Sequence, residues 1–241
     1  MESPKTLVDY LPYLLMGIPV TLEVTVLAML LAIPVALVLA LGRSSPHAGL
    51  RWPAGCVIEL FRGSSSLVQL FWAFYVLPFF GIDLPALAAG VLVLGLNEGS
   101  YLSEVFRAGF ASVPAGQREA SLTLGFSAAY RFFCVTLPQA LPVMIPPFGN
   151  ALIVMLKFSS LVSLVTIRDL SFRANLISTT LGETALVFGI VMLIYYALAL
   201  LLSAGAKWLE ALVNARVGRP SAGFRLSARL AVPDWALGGR S

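Results

Sequence analysis

The chain has 241 residues, of which 59% are hydrophobic and only 12% are charged, and its formal net charge at pH 7 is +4. Soluble domains carry about 25% charged residues, so this composition excludes an ordinary soluble domain and indicates an integral membrane protein. The excess of positive charge is typical of loops that lie against anionic lipid on the cytoplasmic face of a membrane. It gives no reason to expect a nucleic-acid partner.

Five apolar runs follow one another along the chain, and each is long enough to cross a hydrocarbon core, which takes about 20 helical residues. None of these runs shows the period-2 alternation of a membrane β-strand. The first ten residues lack the basic start of a signal peptide, so we expect the first run to be retained as a span. The sequence therefore predicts an all-α fold with five transmembrane helices, near residues 14–41, 54–80, 84–106, 140–166 and 185–206.

The charges of the loops predict how the spans are oriented. With the N-terminus outside, the outer loops carry only Lys5, Arg168 and Arg173, and the other lysines and arginines of the loops and tail lie in the cytoplasm. Cytoplasmic loops are enriched in Lys and Arg, so we expect an outside N-terminus and a cytoplasmic C-terminus. Residues 167–184 would then form a short helix on the outer surface, because their apolar side chains recur at helical spacing.

The sequence predicts no catalytic residue, no metal site and no cofactor bound by this chain. Cys56, Cys134 and the lone His47 are isolated from one another, which is unlike a zinc, disulfide or redox arrangement. No G-x-x-x-x-G-K-[ST] segment occurs, so we do not expect this chain to bind ATP itself. No nucleophile–base pair supports an intramembrane enzyme.

A polar-flanked segment at residues 113–138, VPAGQREASLTLGFSAAYRFFCVTLP, separates the third and fourth predicted spans. Gly116 opens a short helix, and Gly125 can take the left-handed conformation that ends one. Ser127 can cap a second helix over residues 128–136, which would end at the Leu-Pro pair that turns into the fourth span. The spacing predicts a helix–glycine–helix elbow on the cytoplasmic side. It suits contact with a partner protein, and an ordinary connector between spans is the alternative.

The same segment resembles the EAA loop of bacterial ABC-transporter permeases, in which Glu119-Ala120 is followed at the family's spacing by Gly125. Other stretches resemble the histidine/glutamine-type branch of these permeases: ELFRGSSSLVQLF at 59–71, LNEGSYLSEVFRAG at 96–109, LPQALPVMIPPFGN at 137–150 and LKFSSLVSLV at 156–165. The likeness covers nearly all of residues 14–211. It implies that the residues coupling the chain to an ATPase are Gly116, Glu119, Ala120, Ser121, Leu124 and Gly125.

Three positions depart from the usual pattern of the family. Ser65 stands where Pro is usual, and Ser121 replaces the second Ala of the loop motif. Phe158 stands where Asp is common beside Lys157, so a local Lys–Asp pair cannot be carried over. The end of the chain lies outside the resemblance, and we expect a permease domain at 1–211 followed by a poorly ordered cytoplasmic tail at 212–241.

The resemblance implies a multi-pass permease subunit of a binding-protein-dependent ABC importer in the bacterial inner membrane. Its partners would be a separate ABC ATPase dimer that binds ATP and Mg²⁺, a second permease subunit (identical or a sister chain), an extracytoplasmic solute-binding protein and membrane lipid. The implied substrate is a polar amino acid. The segment LVSLVTIRDLSFRA at 161–174 also resembles the ectoine/hydroxyectoine permeases, which favours a zwitterionic compatible solute as a second option.

Polar side chains within the predicted spans mark a candidate substrate path, because such groups are costly in lipid and usually face a bundle interior. A carboxylate and an ammonium lining one cavity would match a zwitterion. As alternatives, these groups cross-link the bundle or a subunit interface, or hold a proton or sodium ion in an ion-coupled transporter or channel. The candidates are Gln69, Asn97, Glu98, Asn150 and Lys157, of which the last two share one face of the fourth span.

Two pairs of opposite charges lie one helical turn apart near the predicted cytoplasmic ends of spans. Glu59 and Arg62 form one pair, and Glu104 and Arg107 form the other. Side chains at this spacing are neighbours on a helix surface, so we expect both to be structural ion pairs.

Overall fold

The computed structural model describes the backbone of residues 7–217, which is helical almost throughout and contains no strand in that range. This confirms the all-α prediction. Two π turns, Trp72–Val76 and Arg131–Thr136, and two 3₁₀ turns, Leu77–Phe80 and Ser159–Val165, continue some of the helices. The α-helices are α1 (Leu7–Leu15), α2 (Gly17–Arg43), α3 (Ala48–Gly63), α4 (Ser66–Phe71), α5 (Ala86–Ala111), α6 (Ala115–Thr123), α7 (Ala128–Tyr130), α8 (Leu137–Phe158), α9 (Leu170–Leu181) and α10 (Thr184–Val217).

Within the described range, four continuous helical segments are long and apolar enough to cross a membrane, and a bent pair of helices can supply a fifth span. The four segments correspond to the first, third, fourth and fifth predicted spans. Each helical segment contains more residues than the span predicted for it. The predicted second span is wrong as a continuous helix, because Ala48–Gly63 and Ser66–Phe80 are bent by 105° at their junction. The continuous segments are Asp9–Arg43, Ala86–Ala111, Ala128–Val165 and Thr184–Ala215.

The break in the second span follows from its serines. Ser64 and Ser65 both have extended backbone angles, with ψ of 156° and 129°, so the helical hydrogen-bond ladder does not pass through them. Serine side chains compete with the backbone for hydrogen bonds, so consecutive serines are poor helix formers. The apolar residues on either side of the serines dominate the mean hydropathy of the segment. The second span therefore looks like one continuous apolar run in the sequence.

The centre of the bundle is the contact between α2 and α5, where small residues let the two backbones approach closely. Gly95 and Gly99 lie one turn apart on α5, and a Cβ at either position would come 3.1 Å from a carbonyl oxygen of α2, that of Ala28 or Ala32. Both alanines are fully buried. In lipid, where the hydrophobic effect does not drive helices together, close packing of small residues at this spacing stabilises their association.

The predicted short helix after the fourth span is present as α9, but its apolar side does not lie on an outer surface. Leu170 and Ile177 are buried, in a cluster that also contains Leu14 of α1 and Val191 of α10. The helix therefore belongs to the bundle. Helical spacing of apolar residues identifies a buried face, and it does not distinguish whether protein or lipid covers that face.

The last helix, α10, is a single element of 34 residues, about 51 Å long at 1.5 Å per residue. The hydrocarbon core of a bilayer is about 30 Å thick, so α10 extends beyond one membrane face. The helix continues beyond the predicted end of the fifth span at residue 206 and runs to Val217. The predicted domain boundary at residue 211 falls inside this helix, and the rest of the predicted tail lies outside the described residues.

Candidate coupling elbow and transport path

The turn that follows α6 is built around Gly125, which has a φ of +71°. The Gly125 N–H donates to the Leu122 carbonyl at 2.9 Å, and the Phe126 N–H donates to the Ser121 carbonyl at 3.2 Å. These two bonds form a Schellman motif, which satisfies the last carbonyls of a helix and requires a left-handed residue. The predicted role of Gly125 in ending the first helix of the elbow is confirmed.

The second helix of the elbow begins at Ser127, whose side-chain oxygen accepts from the Tyr130 N–H at 3.3 Å. This confirms the predicted N-cap. The predicted end of that helix at residue 136 is wrong, because the chain stays helical from α7 through the π turn Arg131–Thr136 into α8. Proline has no N–H to donate, so Pro138 is tolerated where the π turn already interrupts the ladder. The elbow is therefore continuous with a membrane span.

Most side chains of the elbow are exposed, including large apolar ones. We call Leu122, Leu124 and Phe126 the apolar ridge; their side chains are 56%, 68% and 37% exposed. The predicted coupling residues Gly116, Glu119, Ala120 and Gly125 are also exposed.

Ser121 is the predicted coupling residue that differs from the others, because it is buried. Its hydroxyl donates to the Arg118 carbonyl of its own helix at 2.7 Å. Serine in place of the second alanine of the motif therefore lies on the inner side of α6. It leaves the exposed surface unchanged.

Two of the predicted path residues, Gln69 and Asn97, bind the protein's own backbone at the break in the second span. The Phe61 carbonyl near the end of α3 accepts from Asn97 Nδ2 at 2.8 Å and from Gln69 Nε2 at 2.9 Å. Asn97 Nδ2 also donates to Gln69 Oε1 at 3.2 Å, and Gln69 Nε2 donates to Ser64 Oγ at 2.7 Å. Backbone groups freed inside a membrane need such partners, so these amides stabilise the bend and fix it to α5.

The predicted charge pairs have different outcomes. Arg107 and Glu104 form an ion pair at 2.7 Å, as predicted. The predicted pair of Glu59 and Arg62 is wrong, because the Arg62 guanidinium lies over the Tyr101 ring, 5.2 Å from its centre. An aromatic face attracts a guanidinium at that distance.

Glu98 and Lys157 are not brought together as an ion pair across a shared cavity. Glu98 is buried in α5, at 6% exposure, whereas Lys157 is exposed at the end of α8. The zwitterion-matching pair that the sequence suggested is therefore not assembled in this structure. Their place in a transport path stays a prediction.

Asn150 lies in a groove between α8 and α10, which also presents Ser203, Lys207 and Glu210 and has a volume of about 120 Å³. Lys207 and Glu210 are not within ion-pair distance of each other. Sequence reasoning missed the three α10 residues because Lys207 and Glu210 follow the apolar run and Ser203 is a single polar residue near its end. The signal that could have found them is their spacing, since positions 203, 207 and 210 share one helix face.

An apolar hollow of about 490 Å³ lies on the other side of the contact between α8 and α10, and α2 and α5 also line it. Met29, Phe106, Phe148 and Leu202 are among its lining residues. The two helices touch closely between the groove and the hollow, since a Cβ on Gly149 would lie 2.9 Å from that of Ala206. One flank of the contact is therefore polar and the other is apolar.

Comparison with known proteins identifies the class. Residues 6–219 match the family described as "Binding-protein-dependent transport system inner membrane component". The chain belongs to this family of inner-membrane permeases. It is the permease component of an amino-acid ABC transporter.

Similar curated proteins are amino-acid permeases. The chain is 38% identical to the probable amino-acid ABC transporter permease protein y4tF of Sinorhizobium fredii (strain NBRC 101917 / NGR234), over 86% of this chain and 89% of that one. It is 36% identical to the L-cystine transport system permease protein TcyB of Bacillus subtilis (strain 168), over 81% and 84% of the two chains. Both relatives are matched over nearly their whole length.

Solved structures agree with the fold. An amino acid ABC transporter with histidines superposes with a TM-score of 0.78 at 34% identity, over 85% of this chain and 95% of that one. The inward-facing MetNI methionine ABC transporter superposes with a TM-score of 0.72 at 20% identity, over 85% and 97% of the two chains, and at that identity it supports the fold alone.

Replacing Asn97 tests whether the amide network at the break is structural. Asn97→Ala leaves the Phe61 carbonyl with one donor fewer, and losing a buried hydrogen-bond partner costs about 1–3 kcal/mol. We expect the unfolding temperature of the purified protein in detergent to fall by several degrees, since about 1 kcal/mol corresponds to roughly 2–4 °C for a chain of this size. The matched control is Asn175→Ala, at an exposed position of α9. Equal unfolding temperatures for the two variants would contradict the structural role.

Proposed function

We propose that this chain is one of two permease subunits of an importer that moves a zwitterionic amino acid into the cytoplasm. A separate ATPase dimer, which binds ATP and Mg²⁺, contacts the elbow between α5 and α8. A solute-binding protein delivers the substrate on the opposite face, where the N-terminus lies. The exposed elbow is the observation that carries the proposal.

The apolar ridge of the elbow supports contact with a partner protein. Burial of apolar surface contributes about 25 cal/mol per Å², so three exposed apolar side chains beside a polar turn favour docking into a groove. Glu119, exposed on α6, is free to meet a basic group at the edge of that groove. The small Ala120 leaves room for a close approach of the partner backbone. An ordinary connector between spans would not need this combination.

The elbow is built to transmit movement into the membrane. Phe126 and Tyr130 pack edge to face across the turn, with ring centres 4.7 Å apart. The Schellman motif and the Ser127 cap fix the two helices to each other, and helix continues from Ala128 to Val165. A displacement of α6 by the ATPase therefore passes directly into α8, which carries Asn150.

Transport then follows as a shift between two states of the paired permease. ATP binding closes the ATPase dimer and favours the outward-facing state, which the loaded binding protein also favours. Hydrolysis resets the inward-facing state and releases the substrate. A ligand shifts such an equilibrium only as far as it binds one state better than the other, so both ligands must discriminate between the states.

The polar flank of α8 and α10 is the surface that we assign to the transport path and to the second permease subunit. Asn150, Ser203, Lys207 and Glu210 lie near the inner end of the spans, where contact with lipid tails would be costly. A water-filled path beside a second subunit, identical or a sister chain, removes that cost. The unpaired Lys207 and Glu210 offer one charge for the carboxylate of an amino acid and one for its ammonium.

The other predicted path residues keep different places in this proposal. Gln69 and Asn97 bind the protein's own backbone, so they shape the path without contacting the substrate. Lys157 lies on the same face of α8 as Asn150 and extends that polar face along the helix. Glu98 is buried in α5, and it reaches the path only in a state that opens the bundle.

The names of the relatives support an amino-acid substrate. Two of them are described as an L-cystine and an arginine transport system permease. Another is described as a probable glutamine ABC transporter permease. The resemblance of residues 161–174 to ectoine permeases makes a compatible solute the second candidate, and it stays a prediction. An ion-coupled transporter is the rival mechanism, in which Glu98 would hold the proton or sodium ion.

Site-directed cross-linking tests the contact between the elbow and the ATPase. The exposed Cys56 and Cys134 are first replaced by Ser, and Ala120→Cys is then labelled with a photoactivatable maleimide. Because Ala120 is exposed in the middle of α6, we expect illumination of the co-purified complex to join the permease to the ATPase. The product is identified by mass spectrometry.

The matched control is Ala185→Cys, another exposed alanine, at the start of α10 and at the opposite end of the bundle. It is expected to give no ATPase adduct. Adducts of equal yield at both positions, or none at Ala120 in a complex that contains the ATPase, would contradict the assigned contact.

Replacing Asn150 tests the transport path. Asn150→Leu removes the amide from the groove, and the loss of one hydrogen bond to a charged substrate group, about 1.5–3 kcal/mol, corresponds to roughly a tenfold or greater fall in uptake. Uptake of radiolabelled glutamine, arginine and cystine is measured in proteoliposomes that contain the assembled complex. Asn175→Leu, on the exposed side of α9, is the control and should transport as the unaltered chain does. Equal uptake by both variants would remove Asn150 from the path.

A further inference from the structure

Asp169 is an acidic side chain with no exposed surface, at the start of α9. Its Oδ1 accepts from the Phe172 N–H at 2.8 Å, which caps the helix. Its Oδ2 is also buried and has no hydrogen-bond partner. Helix capping accounts for the burial of Oδ1. It does not account for Oδ2, since a buried charged oxygen without a hydrogen-bond partner is costly.

Hydroxyl groups surround this carboxyl where α2, α9, α10 and the Ser159–Val165 turn meet. The Tyr195 hydroxyl of α10 lies 3.1 Å from Ser171 Oγ, in hydrogen-bond contact. It is close enough to interact with Asp169, although the geometry is not that of a formed hydrogen bond. Thr21 of α2 accepts from the Leu170 N–H at 3.2 Å, and Ser159, near Tyr195, is likewise fully buried.

The start of α9 packs backbone to backbone against the start of α2, next to the carboxyl. A Cβ on Gly17, at the start of α2, would lie 2.6 Å from the Leu170 Cα. The contacting atoms of α9 belong to the backbone, so they cannot move aside as the end of a flexible side chain can. The protein groups nearest to the second oxygen are therefore held in place by this close packing.

No charged group neutralises Asp169 within the described chain. Arg173 is the nearest basic residue of α9, and its guanidinium donates to the Tyr13 carbonyl at 3.3 Å and stacks on the Tyr13 ring of α1. Its Nε donates to the Arg168 carbonyl. Tyr195 is the ionisable group that faces the carboxyl from α10, whereas α2 and the 3₁₀ turn present the hydroxyls of Thr21 and Ser159.

We propose that Asp169 is a proton-binding site that fastens the start of α9 to α2 and α10. A proton taken from water binds Oδ2 and converts it from an acceptor into an O–H donor. The Tyr195 and Ser171 hydroxyls can then accept from it, while Oδ1 continues to cap α9. Release returns the proton to water and leaves a buried carboxylate that weakens this junction.

The direction of the pH dependence follows from the same burial. Burial raises the pKa of the Asp169 carboxyl to about 6 from its ordinary value of 3.8, although the Phe172 amide acts in the opposite direction. The folded protein therefore binds this proton more tightly than the unfolded chain does. The contribution of Asp169 to stability grows as the pH falls through about 6, and it levels off below the ordinary value.

Asp169→Asn tests the proposal because asparagine caps a helix as well as aspartate does and resembles the protonated acid. We expect the unfolding temperature of Asp169→Asn in detergent to exceed that of the unaltered protein at pH 7.5, by on the order of 5 °C. The difference should shrink to about half at pH 5, and it should approach zero only below the ordinary pKa of 3.8, where the unfolded chain is protonated too. A difference that is the same at both pH values, or an Asp169→Asn protein less stable at both, would overturn the proposal.

Two further measurements keep the test decisive. Asp83→Asn, in the exposed turn before α5, is the control and should leave the pH profile unchanged. Amide hydrogen exchange of residues 170–174 in the unaltered protein, corrected for the intrinsic effect of pH, should slow as the pH falls through about 6. If Asp169→Asn does not fold, exchange that shows no such step would by itself contradict a proton site at the start of α9.

Discussion

The close contact of α2 with α5 is the constraint on which the rest of the bundle depends. Gly95 and Gly99 admit the α2 backbone to within van der Waals distance, and larger residues there would push α2 and α5 apart. Asn97 lies between these glycines in sequence and projects toward the end of α3. The same turn of α5 therefore sets the spacing of the core and holds the bent second span.

The bent span and the elbow follow one principle, that a break in a helix needs specific partners for its freed backbone groups. In the membrane those partners are the amides of Asn97 and Gln69, because no water is present to replace them. At the elbow they are backbone groups arranged by Gly125, together with the Ser127 hydroxyl. The first break is held against α5 by side-chain hydrogen bonds, while the second presents an apolar ridge outward and continues into α8.

The sequence predicted the features that depend on local chemistry. Four of the five spans, the left-handed Gly125, the Ser127 cap and the Glu104–Arg107 pair rest on residue type and spacing, and these are present. It did not predict features that depend on which side chains meet in space. The serine break was hidden by its apolar neighbours, and Arg62 found an aromatic ring on α5 in place of its helical neighbour. The groove formed by α8 and α10 joins residues more than fifty positions apart.

The most direct measurement is uptake of a radiolabelled amino acid by proteoliposomes that contain this permease, its ATPase and its binding protein. An ATP-coupled importer gives uptake that requires ATP hydrolysis and all three components, and that persists when proton and sodium gradients are collapsed. Uptake by the permease without the ATPase, driven by an ion gradient, would contradict it.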